Sequence, residues 1–289
     1  DSQPGGVVNV VTKKSSKTPE DSVTLTGGTQ SFVQAGLDIS DNLTEDGSQR
    51  FRLVAMGNRE DSFVNGVNGW RGYIAPSWTI DISKNTSLTL MASYLKEDRK
   101  PSAAFMPAWG TVVDRDGRKV HYGTNYGDPE HDTYDKDQLT FGWEFKHAFN
   151  DHLEYKQTFT AKHTDLYFRT TAAYGSLDGA TAPSDGGLYR STLLNDGDAT
   201  SFTFDNNLTG NWMWGDFDSL VQVGFDYQHH KNDWEGNGLG TQIDNADPFN
   251  PSHTGMPSDS ELDVWDNSIK KEQLGVYGQL QTVHNETFL

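Results

Sequence analysis

Ser201–Trp214 reads SFTFDNNLTGNWMW, and its two interleaved sets of side chains decide the fold. Phe202, Phe204, Leu208, Trp212 and Trp214 fall in one set; Thr203, Asp205, Asn207, Thr209 and Asn211 fall in the other. A period of two belongs to a β-strand with one apolar and one polar face. The next stretch repeats it, with Val221, Val223, Phe225 and Tyr227 against Gln222, Gly224, Asp226 and Gln228. Upstream, Leu153, Tyr155, Gln157, Phe159 and Ala161 alternate with Glu154, Lys156, Thr158, Thr160 and Lys162. The same pattern carries Phe51/Leu53/Ala55, Ile74/Pro76/Trp78/Ile80, Leu88/Leu90/Ala92/Tyr94 and Leu139/Phe141/Trp143/Phe145. Leu274, Val276 and Leu280, against Gln273, Gln279 and Gln281, form the last such segment.

Alternation alone also fits a soluble antiparallel sheet with one wetted face. Composition and connections separate the two. Hydrophobic residues are 34% of the 289, yet aromatics are 12%, with 8 Trp, 11 Tyr, 15 Phe and 29 Gly. That balance suits a transmembrane barrel, whose wall needs only alternate apolar residues and aromatic girdles. No stretch reaches the roughly 18 continuous apolar residues of a spanning helix, so any crossing is by strands. Short links (Asp41–Gly47, Ser83–Thr86, Asn150–His152, Gly215–Asp216) alternate with long ones, near Asp98–Lys136, Thr171–Thr200 and His229–Lys271. Short turns at one end and long loops at the other are a barrel property; a compact soluble domain rarely carries such loops. Trp70, Trp78, Trp143, Trp212 and Trp214 are expected near strand ends on the apolar face. Pro76 cannot donate to a ladder, so a bulge or irregularity is expected there.

The formal charge of -18 argues against nucleic acid and anionic surfaces as partners. There is no cysteine, hence no disulfide, thiolate site or thiol nucleophile. Without a starting Met or a leader, the chain is expected to be processed or a piece of a longer protein. His229-His230 point to opposite faces of a strand and do not make a metal site. Asp114-Arg115-Asp116-Gly117 lacks the later ligands of a calcium loop and reads as a turn. Gly236, Gly238 and Gly240 precede no helix and imply no nucleotide. No carboxylate pair stands out as acid and base, so no catalytic residues are assigned. Glu154, Lys156, Lys162, Asp205 and Asp226 are expected to form a hydrated network on the polar face.

Pro4-Gly5-Gly6-Val7-Val8-Asn9-Val10-Val11-Thr12-Lys13-Lys14 resembles the end of the plug domain of TonB-dependent receptors. Gly5-Gly6 permits close backbone approach, and the β-branched run suits a central strand. Further matches follow in the family's order. Phe32–Asp46 resembles the second barrel strand and its turn, Tyr73–Trp78 (YIAPSW) the fourth strand of hydroxamate-siderophore receptors, and Ser87–Asp98 the fifth. Met106–Val112 resembles the L-P-x-x-G-T-V element of the third outer loop. Phe141–Asp151 is similar to the sixth strand, Val223–Tyr227 to the ninth and Gln273–Gln281 to the tenth.

The resemblance implies an all-β fold: the plug's last strand and linker in residues 1–20, then in 21–289 about ten antiparallel strands of a transmembrane barrel of about 22. It implies import of a ferric siderophore, with a hydroxamate favoured, across the outer membrane of a Gram-negative bacterium. The expected partners are the siderophore, the TonB energy-coupling complex reached through an upstream region, and outer-membrane lipid and lipopolysaccharide. Iron is cargo and no cofactor is implied. Rigid aromatics suit a pocket for a bulky chelate. By motif, Phe105, Met106 and Trp109 of the third loop, Tyr174 of the fourth and Trp234 of the fifth are the binding candidates, against the plainer reading of each as a girdle or loop-packing side chain. Phe105 stands where relatives carry Trp, and Ala103 where some carry Tyr. The same wall could import cobalamin, thiamine or a sugar. A soluble carbohydrate-binding module and a passive porin are the readings from other classes.

Overall fold

The computed structural model describes residues 12–174 except 107, 109 and 115, then 188–237, 241–284 and 287–288, with backbone alone for 241–245 and 287–288. In chain order the strands are β1 (Ser22–Gly27), β2 (Val33–Asn42), β3 (Gln49–Asp61), β4 (Asn68–Ser83), β5 (Thr86–Arg99), β6 (Ala103–Phe105) and β7 (Thr133–Asn150). They continue with β8 (Leu153–Tyr174), β9 (Leu188–Trp214), β10 (Phe217–Gly236), β11 (Thr241–Ala246), β12 (Trp265–His284) and β13 (Thr287–Phe288). One short 3-10 turn, Asp259–Glu261, precedes β12. The sheet runs β1-β2-β3-β4-β5-β7-β8-β9-β10-β12-β13, antiparallel between neighbours, and does not close on itself. β6 joins β8 in parallel and β11 joins β9, both at the long-loop end.

Register places the alternating sets opposite one another. Phe51 faces Trp78 and Ala55 faces Ile74; Trp78 faces Leu90, Leu90 faces Trp143, Trp143 faces Phe159 and Phe159 faces Phe204. The apolar face is therefore continuous across the sheet, and it is the open one. Val276 is 83% exposed and Leu274 70%, whereas Asp38 is 7% and Glu144 6% exposed. No element among the described residues covers the apolar face. A sheet that exposes its apolar side and shelters its carboxylates is built for lipid outside and polar contents inside.

The polar face holds the chain's own N-terminal segment. Lys13 pairs with Asp38 at 2.8 Å and Lys14 with Glu144 at 2.6 Å; Ser15 Oγ donates to Thr79 Oγ1 at 2.7 Å. The Glu20 amide donates to Ser40 Oγ at 2.9 Å. Arg52 grips Asp38 with two 2.7 Å bonds, and Arg50 holds Asp81 at 2.7 and 2.9 Å. Tyr277 lies flat over Gly224 and donates to Asp205 at 3.1 Å. A Cβ at Gly224 would stand 2.5 Å from that ring and 2.6 Å from the Asn206 carbonyl. Gly224→Ala is expected to destabilise by about 1–3 kcal/mol through overpacking, read as a lower urea midpoint.

Three expectations need correction, and a fourth takes a definite form. The link expected over Thr171–Thr200 is mostly strand, since β8 has 22 residues and β9 27. About 9–11 residues cross a bilayer, so these strands rise far beyond it. The links 28–32 and 62–67 at the long-loop end are short. At Pro76 the expected irregularity takes the form of a gap, only the bulge being absent: Pro76 pairs with Leu53 of β3, while the β4–β5 ladder skips from Ile74–Tyr94 to Ser77–Met91 with no change of register. Trp143 sits within β7, stacked on Phe159 at 4.2 Å, and Trp78, in the same row through Leu90, sits within β4; neither is at a strand end. The Trp143 Nε1 donates to Gln157 Oε1 at 3.0 Å, and Gln157 and Tyr155 both donate to Asn206 Oδ1. Polar side chains on the lipid side thus converge on the Asn206 oxygen, while the buried Asn206 Nδ2 has no partner among the described residues.

Above the apolar band the same face turns acidic. Asp137, Asp165, Asp198 and Asp233 stand directly opposite one another on successive strands. Lys96 pairs with Asp137 and Lys231 with Asp233, but like charges face each other between them. Asp198→Asn is expected to stabilise the sheet by about 0.2–1 kcal/mol at low ionic strength, with the gain shrinking as salt is raised.

Candidate ligand-binding site

Two of the aromatic candidates, Phe105 and Tyr174, meet where β8 and β9 leave the wall. β6 adds to β8 in parallel, with Phe105 opposite Tyr174. Tyr174 is half-buried, and its ring lies 6.1 Å from that of Tyr189 on β9. Phe105 is 72% exposed, a large apolar side chain with little to hold it. Met106 packs on the cluster of Tyr126, Ala173 and Leu188. Phe105 and Tyr174 are therefore backbone partners, while Met106 packs on Ala173 and Leu188, which alternate with Tyr174 and Tyr189 and so belong to the other face of the ribbon. Trp109 lies outside the described residues. Trp234 is elsewhere: it is on the polar face of β10, opposite Gly197, which itself faces Leu166 of β8. Leu166 is eight residues below Tyr174 in the sequence, so at about 3.4 Å per residue the two aromatic positions are roughly 27 Å apart. Gly197 lets the strands approach closely there; a Cβ on it would lie 2.5 Å from that of Trp234.

Beneath the aromatic cluster is an ionic core. Arg169 of β8 and Arg190 of β9 are 1% and 0% exposed. Arg169 Nη1 reaches Asp128 at 3.2 Å and Asp132 at 3.3 Å, Nη2 donates to the Pro257 carbonyl at 2.6 Å, and Nε lies 3.1 Å from Asp259. Asp132 also accepts from the Thr171 amide at 2.8 Å and its hydroxyl at 3.1 Å. Arg190 Nη1 donates to the carbonyls of Tyr126, at 3.3 Å, and Ser252, at 2.6 Å. The His253 ring donates to the Gly127 carbonyl at 2.9 Å, and Tyr126 donates its hydroxyl to the Pro248 carbonyl. Burial works against the Asp128 carboxylate, yet the bonds from His131 and Arg169 hold its pKa below the ordinary value. For Asp132 burial wins, and the pKa is raised despite bonds from Asp128, Thr171 and Arg169. Burial pushes the Tyr126 phenol up to about 12.

Periodicity did not single out these residues. The only local sign is an arginine set among small and apolar strand residues, in Phe168-Arg169-Thr170-Thr171-Ala172 and Leu188-Tyr189-Arg190-Ser191-Thr192. Their partners lie far along the chain. Among the described residues no group of three or more His, Asp or Glu is placed to hold a metal. Two open grooves, of about 800 and 570 Å³, lie along the sheet. Their side walls, such as Ala35, Ile74 and Trp70 in one and Leu208, Val223 and Val276 in the other, belong to the apolar face, and neither touches the aromatic cluster. The long-loop end thus combines exposed aromatic side chains with a buried, hydrogen-bonded base.

Comparison with known proteins agrees with this architecture. The family model described as TonB dependent receptor-like, beta-barrel matches residues 69–283, most of the chain. The ferrichrome outer membrane transporter/phage receptor of Escherichia coli K12 is 27% identical over 300 residues, covering 97% of this chain and 40% of that protein. The ferrioxamine receptor of Yersinia enterocolitica is 27% identical over 259 residues, covering 90% of this chain and 34% of its own length. The chain thus spans well under half of these relatives. Among solved structures, the closed form of the ferric-catecholate import receptor Fiu of E. coli K12 superposes with a TM-score of 0.81 at 19% identity, over 99% of this chain and 41% of that one. The ferripyoverdine receptor of Pseudomonas aeruginosa gives 0.74 at 21% identity, over 93% and 35%. These two likenesses concern the fold. The continuous apolar face, the antiparallel order and the family match lead to one conclusion: the chain belongs to the TonB-dependent receptor β-barrel family, receptors of the Gram-negative outer membrane and not enzymes.

Proposed function

We propose that the whole receptor, of which this chain forms the plug end and the first strands of the barrel wall, imports a ferric siderophore of the hydroxamate type. The observation that carries the reading is agreement along 97% of the chain with a ferrichrome transporter, and along 90% with a ferrioxamine receptor. Residues 1–20 are the end of the plug and its linker on this reading; residues 1–11 lie outside the described residues, and the contacts of Lys13, Lys14, Ser15 and Glu20 with the polar face support it. Phe105, Trp109, Tyr174 and Trp234 would offer flat, stiff surface to the chelate at low entropic cost, with Met106 as an adaptable apolar contact beside them. The TonB complex would supply the energy through a region upstream of the plug end, and lipid with lipopolysaccharide would surround the wall.

The test uses the full-length receptor in an iron-starved strain without its own hydroxamate receptors. Growth and radio-iron uptake from ferrichrome or ferrioxamine B, abolished when TonB is deleted, are expected. Uptake of a cobalamin, thiamine or sugar instead would move the protein to another nutrient. Transport of no ferric chelate would end the siderophore reading.

A further inference from the structure

We infer that Arg169 and Arg190 are positioning residues that fasten the two long loops to the β8–β9 ribbon as one body and so place the aromatic side chains that meet the ligand. The inference rests on the proposed binding role of those aromatics. Each arginine touches both loops. Arg169 bonds Asp128 and Asp132 of the β5–β7 loop and the Pro257 carbonyl of the β10–β12 loop, where Asp259 is also an ion-pair neighbour. Arg190 bonds the carbonyls of Tyr126 in the first loop and Ser252 in the second. Two arginines on neighbouring strands thus bridge the same pair of segments, which are more than a hundred residues apart in sequence. Asp132 completes the join by accepting from the amide and hydroxyl of Thr171, on β8 itself.

The fastened segment is the one on which the site is built. Tyr126, whose carbonyl Arg190 holds, forms with Ala173 and Leu188 the cluster under Met106. Phe105, the residue before it, is paired with Tyr174 at the end of β8. Rotating the β5–β7 loop off Arg190 would therefore take Tyr126 from under Met106 and loosen β6, which holds Phe105 beside Tyr174. Buried ion pairs are poor stabilisers compared with apolar packing of equal volume, but they hold one arrangement, because every other leaves a charge unpaired in a dry place. The device suits a site that must present rigid surface to a bulky ligand before it arrives.

The experiment takes the full-length receptor in detergent, with Arg169→Met as the disruptive variant and Asp128→Asn/Asp132→Asn/Arg169→Met as the charge-free variant, which removes these buried charges together and leaves only the half-exposed Asp259 of the group. The first readout needs no ligand. Amide exchange in 124–132 and in 247–262 is expected to rise together, by about tenfold or more in both variants, while residues 202–226 keep their protection. A rise in one segment alone, or in neither, overturns the fastening. The second readout is the affinity for ferrioxamine B by Trp fluorescence. A fall of about tenfold is expected in the charge-free variant, with Arg169→Lys recovering part of it. Unchanged affinity beside raised exchange overturns the positioning role. A wild-type receptor that binds no ferric hydroxamate defeats the proposed function instead, and the exchange result still judges the fastening.

Discussion

Val223→Arg is expected to cost about 2–4 kcal/mol of folding stability in vesicles, while Gln222→Arg, one residue away, stays within about 0.5 kcal/mol. Val223 faces Leu208 of β9 and Gly278 of β12 on the apolar side, and it is 48% exposed to what would be hydrocarbon. A guanidinium there has no water and no carboxylate within its row. Gln222 faces Thr209 and Gln279 on the other side, where Asp205 and Asp226 are close along the strands. Urea unfolding of the full-length receptor reads both variants. Equal costs at the two positions would mean that the faces are not what their side chains suggest.

Tyr174→Ala is expected to weaken ferric-hydroxamate binding by about 2 kcal/mol, roughly 30-fold, the range of an aromatic hot spot. Trp234→Ala is expected to weaken it by a similar factor, and the two losses should add in free energy because the residues are roughly 27 Å apart. Trp212→Ala, on the apolar face at the short-turn end of β9, should leave binding unchanged. Titration by fluorescence quenching separates these outcomes. A Trp234 variant that binds like wild type would restrict the site to the β6–β8 cluster.

The wall was readable from sequence because its physics is local. Inside a membrane each strand residue meets either lipid or the polar interior, and Phe202 to Trp214 or Val221 to Tyr227 spell out that choice with a period of two. The order of the strands came from the ordered resemblance, not from periodicity. Above the membrane the rule lapses. Both faces of a protruding ribbon are wet or loop-covered, so Thr171–Tyr174 and Leu188–Thr200 alternate in nothing and look like loop. Asn206 illustrates the same limit on the lipid side, where its side-chain oxygen accepts from Tyr155 and Gln157 of the adjacent strand, a fact of register. Arg169 and Arg190 were invisible for a stronger reason: their value depends on Asp128, Asp132, Ser252 and Pro257, which only the fold brings to them. Motif assigned Phe105, Met106, Tyr174 and Trp234 to three different outer loops, and gave no hint that β6 would pair Phe105 with Tyr174 or that Trp234 stands well below them.

The central claim is that one face of this sheet meets lipid and the other meets water and the plug. The chain has no cysteine, so single cysteines can be placed along Phe204–Leu208 and Gln222–Tyr227 and labelled with an environment-sensitive fluorophore in vesicles. Labels at 204, 208, 223 and 225 are expected to be quenched by spin-labelled lipid and spared by aqueous quencher, with 205, 207, 222 and 226 showing the reverse. Quenching that fails to alternate, or alternates with the opposite phase, would contradict the account.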